Sequence, residues 1–243
     1  MISIGFKTDK GLSRQDNEDA VFVLPDRNLY MVADGVGGQN NGELASRTAV
    51  GYMAQFAALH PVAMVREGAA LKQYFMSLLS GANELIFGKA YSEPGSAGMA
   101  TTAVICYLRD DTAYVVNVGD SRAYLVRDGK IMQITTDHTL IQEMIDSGEL
   151  TPEQAADHPE KHVITRAVGG EPTVRPDFFT FRTYPGDTII LCTDGLYGMV
   201  DEELIAAMAS RSKTMHGLSR ALVDMANQEG GEDNISVVCI RIQ

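Results

Sequence analysis

The chain has 243 residues, of which 45% are hydrophobic, so it can bury a sizeable core and is not a disordered segment. Its 32 acidic and 20 basic residues give a formal net charge of −12 at pH 7, which argues against a nucleic-acid partner because such binding needs a basic footprint. No stretch approaches the ~20 apolar residues needed to cross a bilayer, and the N-terminus lacks signal-peptide features, so we expect a cytoplasmic protein without a membrane segment.

The cysteines support this expectation. Cys106, Cys192 and Cys239 each lie in an apolar run, and no two of them are close in sequence. An odd count with this spacing predicts buried free thiols rather than a disulfide framework or a zinc site.

In chain order, the apolar pattern predicts blocks of strands and blocks of helices. Three short strands open the chain, two long helices follow, and four strands form the middle. The predicted ranges are 2–7, 20–24 and 28–33 for the first strands, 42–59 and 68–91 for the helices, and 99–108, 112–118, 122–126 and 130–134 for the middle strands.

The middle strands are predicted to form hairpins, because 109–111 and 127–129 carry turn residues, with Asp128-Gly129 as the stronger signal. Residues 137–172 break the strand rhythm with two short helical pieces. After them we predict strands at 174–183 and 188–193, helices near 201–209 and 214–228, and a last strand at 235–242.

Blocks of hairpin-linked strands between helix pairs predict antiparallel sheets with helices outside, in the α+β class. Several strands, such as 188–192, are apolar throughout, which predicts burial on both faces. Two stacked sheets covered by helices satisfy both observations. Because there is no repeat and no obvious linker, we expect residues 1–243 to form a single domain.

Four aspartates lie at the ends of apolar strands. Asp34, Asp120 and Asp194 each follow a predicted strand, whereas Asp233 precedes the last one. Since one strand's end lies beside its antiparallel neighbour's start, Asp233 could face Asp34 and Asp194 at one rim. Converging carboxylates repel unless cations lie between them or some are protonated. An all-oxygen site suits Mg²⁺ or Mn²⁺.

The alternative for each aspartate is an ordinary turn. Asp-Gly after a strand is usually a turn, and an Asp-Asn pair before a strand can be a turn or a cap. A similar choice applies to Arg14, which could bind a phosphoryl group bidentately or form a surface salt bridge to Glu18 or Asp19. The residues alone leave these alternatives open.

Taken together, five short motifs resemble those of the type 2C family of metal-dependent Ser/Thr protein phosphatases. They are R-x-x-N-E-D from Arg14, A-D-G-V-G-G from Ala33, V-G-D-S-R from Val118, T-D-G-L from Thr193 and D-N at Asp233. A further segment, between Asp137 and Gly169, resembles the single-domain bacterial branch. The motifs occur in the family's order across nearly the whole chain.

The resemblance implies the family's fold, a four-layer αββα sandwich of two antiparallel β-sheets flanked by helices. It also implies two Mn²⁺ or Mg²⁺ ions in the active site, with a possible third. The implied ligands are Asp34 as the bridge between two metals, Gly35 through its carbonyl, Asp194 and Asp233 in the first metal site, Asp120 in the third site, and Glu18 and Asp19 through water. Arg14 matches the phosphate-binding arginine.

The implied activity is hydrolysis of phosphoserine and phosphothreonine by a water that bridges two cations. The expected partners are phosphorylated proteins, including a Ser/Thr kinase and its targets in signalling, and the expected state is a monomer. Two alternatives remain. The chain could be an inactive pseudophosphatase that serves as a scaffold, although such proteins usually lack metal-binding carboxylates and Asp34, Asp194 and Asp233 are present here. Alternatively, its substrate could be one dedicated regulator protein.

Two positions depart from the family pattern. Many members carry histidine where Val36 stands, and many bacterial members carry histidine where Gln39 stands, so neither position can supply a general acid here. The candidates for leaving-group protonation are a metal-bound water near Asp120 or one of three histidines elsewhere, at positions 138, 158 and 162. Residues 139–165 resemble the family's flap beside the active site, with a purely structural insertion as the alternative.

Overall fold

A computed structural model describes residues 2–37, 41–66, 68–93, 95–155, 158–160 and 162–243. The strands within these ranges are β1 (Ile2–Asp9), β2 (Asp19–Leu24), β3 (Leu29–Val36), β4 (Ala100–Thr101), β5 (Ala103–Arg109), β6 (Thr112–Val118), β7 (Arg122–Arg127), β8 (Lys130–Gln133), β9 (Asp177–Arg182), β10 (Thr188–Cys192) and β11 (Ile235–Ile242). The α-helices are α1 (Asn41–Leu59), α2 (Ala69–Ser92), α3 (Leu140–Asp146), α4 (Pro152–Ala155), α5 (Asp194–Tyr197), α6 (Glu202–Arg211) and α7 (Met215–Gln228).

The strands form two antiparallel sheets. One has the order β1-β11-β10-β7-β8, and the other has the order β2-β3-β5-β6-β9, with β4 paired to β3. The hairpins predicted at 109–111 and 127–129 are present, with Asp110 and Asp128 in the left-handed conformation that tight turns require. These turns set the register of β5 on β6 and of β7 on β8.

Three apolar layers hold the sheets and helices together. The layer between the sheets contains side chains from both, including Tyr30, Val104 and Ile189. Helices α1 and α2 cover the outer face of the β2-to-β9 sheet, and α6 and α7 cover the other sheet. All five residues of β10 are buried, as expected for a strand covered on both faces. The predicted four-layer αββα sandwich is therefore confirmed.

Some boundaries differ from the prediction. Strand β3 continues to Val36 because Gly35 and Val36 pair with Thr101 and Ala100 of β4. The predicted strand at 99–108 is divided at Thr102, and the short helix α5 was not predicted. The three cysteines are free and buried, as predicted. Among the described residues, no helix is both long enough and apolar enough to pass through a membrane.

Candidate metal centre

One cavity of about 550 Å³ lies at the end of the sandwich where β3 and β10 finish and β11 begins. Every predicted site residue except Asp19 lines it, namely Arg14, Glu18, Asp34, Gly35, Asp120, Asp194 and Asp233. The structure thus brings together residues that are up to 219 positions apart in the sequence. Their roles as ligands remain predictions.

Antiparallel pairing explains how the aspartates meet. In one sheet, Asp19 at the start of β2 is the register partner of Asp34 near the end of β3. In the other sheet, the pairing of β10 with β11 continues through Thr193, whose N–H donates to the Ser236 carbonyl at 3.1 Å. Asp194 and Asp233 therefore flank the same rim. The Thr193 hydroxyl donates to Asp19 Oδ2 at 2.9 Å and so joins the two sheets.

Two threonines fix the backbone of Asp34. The Asp34 N–H donates to Thr102 Oγ1, and the Asp34 carbonyl accepts from Thr102 N–H and from the Thr101 hydroxyl, each at 2.8 Å. Thr102 Oγ1 also shares a hydrogen bond with Ser121 Oγ at 2.7 Å. Neither threonine was predicted, because Asp34 is more than 60 residues away from both. With its backbone satisfied, Asp34 presents its carboxylate to the cavity.

Gly35 allows β3 to approach the start of α1 closely. A Cβ atom at Gly35 would overlap the backbone of Gly42 and would lie 2.6 Å from the Glu18 carbonyl oxygen. That oxygen accepts a hydrogen bond from Gly35 N–H at 3.1 Å. A side chain at position 35 would therefore push apart the segments that carry Glu18 and Asp34.

Arg14 pairs with Asp233 at 2.7 Å and not with Glu18 or Asp19, the partners considered in the salt-bridge alternative. Its side chain is 53% exposed. The adjacent Asn234, to which the sequence motifs gave no role, binds the loop between β1 and β2 to the start of β11. Its amide nitrogen donates to the carbonyls of residues 10 and 16 at 2.9 Å, and its oxygen accepts from Glu18 N–H at 2.7 Å.

The carboxylates repel one another inside the protein. Burial, followed by the charge of Asp194, raises the pKa of Asp120 to about 7, and burial raises the pKa of Asp19 to about 7 although it accepts hydroxyl hydrogen bonds. Burial and the neighbouring carboxylates raise the pKa of Asp34 well above its usual range, and burial raises the pKa values of Asp194 and Glu18. Asp34 and Asp194 also lie within hydrogen-bonding reach of each other. Such a cluster favours cations.

The donor set fits hard divalent cations. Asp19 Oδ1 and Asp194 Oδ1 are buried and have no hydrogen-bond partner among the described residues. The predicted ligands are all oxygen donors, which suits Mg²⁺ or Mn²⁺. Within the described ranges, however, no three Asp, Glu, His or Cys side chains already form a set arranged to hold an ion. The arrangement is therefore a ring of carboxylates around a cavity and not a closed ligand cage.

Of the three candidate histidines, only His162 lines the cavity. His138 is 4% exposed and bonds to Asp177 through Nε2, and His158 accepts from the N–H of Glu160. Val36 is 41% exposed at the cavity wall, and Gln39 lies outside the described residues.

The predicted flap segment lies beside the cavity. Its two ends pair with each other through the bridge between Thr139 and Ile164 and the hydrogen bond from Leu140 N–H to the Val163 carbonyl at 2.9 Å, and residues 162–165 are its inner edge. This pairing brings Ile164 and His162 to the cavity wall.

Known proteins share both the sequence and this architecture. The sequence profile described as protein phosphatase 2C matches residues 7–234. The serine/threonine phosphatase stp of Listeria innocua is 34% identical over 238 residues, covering 97% of this chain and 94% of that protein.

Two solved structures align over the full length of the chain. The serine/threonine phosphatase of S. agalactiae has a TM-score of 0.92 at 29% identity, with all of both chains covered. The catalytic domain of the phosphatase PstP, solved in complex with two manganese ions, has a TM-score of 0.85 at 31% identity, covering 100% of this chain and 99% of that one. With the profile match across most of its length, the chain belongs to the protein phosphatase 2C family of metal-dependent serine/threonine phosphatases.

Proposed function

We propose that the carboxylate-lined cavity is the active site, where the chain hydrolyses phosphoserine and phosphothreonine of other proteins with the aid of Mn²⁺ or Mg²⁺. The observation that carries this proposal is the convergence of Asp34, Asp120, Asp194 and Asp233 on one cavity beside an exposed arginine. Family membership supports the reaction class, and the two manganese ions of the PstP structure support the choice of metal.

The residues that would hold the cations are Asp34, Gly35, Asp194 and Asp233, with Asp120 at a third site and Glu18 and Asp19 acting through water. Two cations held there would lower the pKa of water far below its bulk value of ~15.7 and so supply a nucleophile for phosphorus near neutral pH. The carboxylates would fix the cation positions, and the backbone of Asp34, the central ligand, is itself held by cross-strand hydrogen bonds.

Arg14 would bind the phosphoryl group. Its guanidinium contacts Asp233 through Nη2 and is otherwise exposed at the cavity, which leaves donors for two phosphoryl oxygens. A planar fork of this kind matches phosphate geometry and offsets the charge that spreads over the oxygens in the transition state.

The leaving alkoxide must receive a proton, and Val36 has none to give. Among the described residues that line the cavity, the imidazole of His162 can hold a transferable proton, and Asp120 would hold the cation whose water is the other candidate donor. Comparing p-nitrophenyl phosphate with a phosphothreonine peptide isolates this step, because nitrophenolate leaves without a proton.

We also propose that residues 1–243 act as one catalytic domain, that the protein works as a monomer in the cytoplasm, and that its substrates include a Ser/Thr kinase and that kinase's targets. The three buried free thiols fit a reducing compartment. The match of the profile to residues 7–234 supports a single unit.

The decisive experiment measures hydrolysis of both substrates with Mn²⁺, Mg²⁺ or EDTA. Turnover should require the metal and should be lost in Asp34→Asn and Asp194→Asn. Asp224→Asn, on the exposed face of α7, is the matched control and should retain turnover. Metal-independent turnover, or full activity of both active-site variants, would refute the proposal.

A further inference from the structure

We propose that His138 is a positioning residue that holds the loop carrying Asp120 and the inner edge of the flap in one geometry. This inference rests on the proposed function, because Asp120 matters only if the cavity binds cations. The sequence offers His138 as a candidate proton donor, but its side chain is 4% exposed and does not line the cavity. Its hydrogen bonds indicate a different role.

His138 contacts the residue before Asp120 from two sides. Gly119 N–H donates to the imidazole Nδ1 of His138 at 3.1 Å, and His138 N–H donates to the Gly119 carbonyl at 3.0 Å. The same carbonyl accepts from the amide of Asn117 at 3.1 Å. Both backbone polar groups of Gly119 are therefore fixed, one of them by the imidazole ring.

Neighbouring groups determine the orientation of the ring. Because Nδ1 accepts from a backbone N–H, the neutral ring carries its proton on Nε2. Nε2 lies 3.2 Å from Asp177 Oδ2, to which it donates, and the other oxygen of Asp177 accepts from Arg166 at 3.1 Å. Arg166 Nη1, at 3.3 Å from Nε2, is a second donor and so lies beside the ring without bonding to it. The Asp177 carboxylate thus keeps Nδ1 directed at Gly119.

Gly119 has little freedom to adopt another position. Its φ of +103° is rarely adopted by other residues, and a Cβ atom there would lie 2.6 Å from the methyl carbon of Thr102. On the other side, the hydroxyl of Tyr197 donates to the Asp120 carbonyl at 3.0 Å. The imidazole contact completes a set of restraints that fixes the direction of the Asp120 side chain.

The backbone of His138 also reaches the flap. Thr165 N–H donates to the His138 carbonyl at 2.8 Å. Two residues after His138, Leu140 N–H donates to the Val163 carbonyl. These bonds place Ile164 and His162 at the cavity wall. One residue therefore joins the Asp120 loop to the part of the flap that faces the cavity.

The test uses two substitutions that each retain one half of the imidazole. In His138→Asn, the amide oxygen can replace Nδ1 as the acceptor for Gly119 N–H. In His138→Gln, the amide nitrogen can replace Nε2 as the donor to Asp177, but the acceptor is lost. The readout is Mn²⁺ binding to the folded, substrate-free protein, measured in a titration that detects free Mn²⁺ by electron paramagnetic resonance. Comparison of wild type with Asp120→Ala defines the part of the binding that depends on Asp120.

We expect His138→Gln to weaken the Asp120-dependent Mn²⁺ association about tenfold or more, because substitutions of residues that orient metal ligands typically reduce metal affinity by this amount. We expect His138→Asn to stay within about twofold of wild type. Equal losses in both variants, or wild-type binding in His138→Gln, would overturn the proposal. If His138→Gln does not fold, His138→Leu, which also lacks an acceptor for Gly119 N–H, must show the weakening instead. If Asp120→Ala binds Mn²⁺ as wild type does, the third site is absent and the proposal fails. Failure of the proposed function is distinguishable, because it would appear as retained turnover in Asp34→Asn and Asp194→Asn.

Discussion

Replacing Asp34 by asparagine should stabilise the metal-free protein while it abolishes activity. The carboxyl of Asp34 is surrounded by other carboxylates, and burial together with their charges raises its pKa. An asparagine at this position has the same shape and removes one charge. Its amide can donate to Asp194, as a protonated Asp34 carboxyl would.

The neighbouring aspartates give the scale of the effect. The pKa values of Asp19 and Asp120 are raised from 3.8 to about 7, chiefly by burial and in part by the surrounding carboxylates. At about 1.4 kcal/mol per pKa unit, keeping such a group ionised at pH 8 costs up to ~4 kcal/mol. Because the aspartates share the repulsion and the amide remains buried, we expect a gain of about 1–3 kcal/mol in the free energy of unfolding.

Urea denaturation at pH 8 in EDTA measures this gain. With Mn²⁺ at about 100 times its Kd, wild type should gain ~2.7 kcal/mol and the variant should lose most of that increment. Asp187→Asn is the matched control. Asp187 is also buried, but Arg127 donates to both of its oxygens at 2.8 and 2.7 Å, so this substitution should destabilise by about 1–3 kcal/mol. If Asp34→Asn is destabilised in EDTA as Asp187→Asn is, the carboxylate cluster is not repulsive and the reasoning fails.

Three further predictions concern the same cavity. In EDTA, the free energy of unfolding should fall as pH rises from about 4 to 7, because Asp19 and Asp120 remain protonated in the folded protein while the unfolded chain ionises. Mn²⁺ should reduce this fall. If urea titrations show a rise over the same pH range, the raised pKa values of Asp19 and Asp120 are contradicted. Gly35→Ala should unfold at least ~2 kcal/mol more easily and lose Mn²⁺-dependent turnover, whereas Gly51→Ala, with open space around its Cβ position, should be neutral or stabilising by thermal melting. Thr102→Val should cost about 1–3 kcal/mol, because Asp34 N–H loses its side-chain acceptor, and should lower kcat more than it raises KM; unchanged kinetics would show that this bond does not position Asp34.

The sequence predicts the sandwich and the meeting of its aspartates for a physical reason. Strands such as β10 are apolar throughout and must be covered on both faces, and antiparallel pairing brings the end of β3 beside the start of β2. A charge at the end of such a strand meets a smaller desolvation cost than one inside it, and Asp34 and Asp194 lie at the rim, where burial still raises the pKa of each.

Other features of the site had no local signal. Asp194-Gly195 is typical of a turn, but it begins the short helix α5, closed by the Gly198 N–H bonding to the Asp194 carbonyl. The bonds that Thr102 and Asn234 make to the site join residues 68 and 216 positions apart; Asn234 belongs to the D-N motif, but no periodicity or spacing marks these bonds. Such contacts become visible only in the folded protein.

The cavity is built from both halves of the sandwich, since Asp34 belongs to one sheet and Asp194 and Asp233 flank strands of the other. The spacing between these carboxylates therefore depends on the thickness of the apolar core layer between the two sheets. A substitution that enlarges or shrinks a side chain there, such as Val32 or Ile189, would change how well a cation fits although it touches no ligand. Substitutions that accumulate in the core between the sheets are thus a route by which related enzymes could acquire different ion preferences.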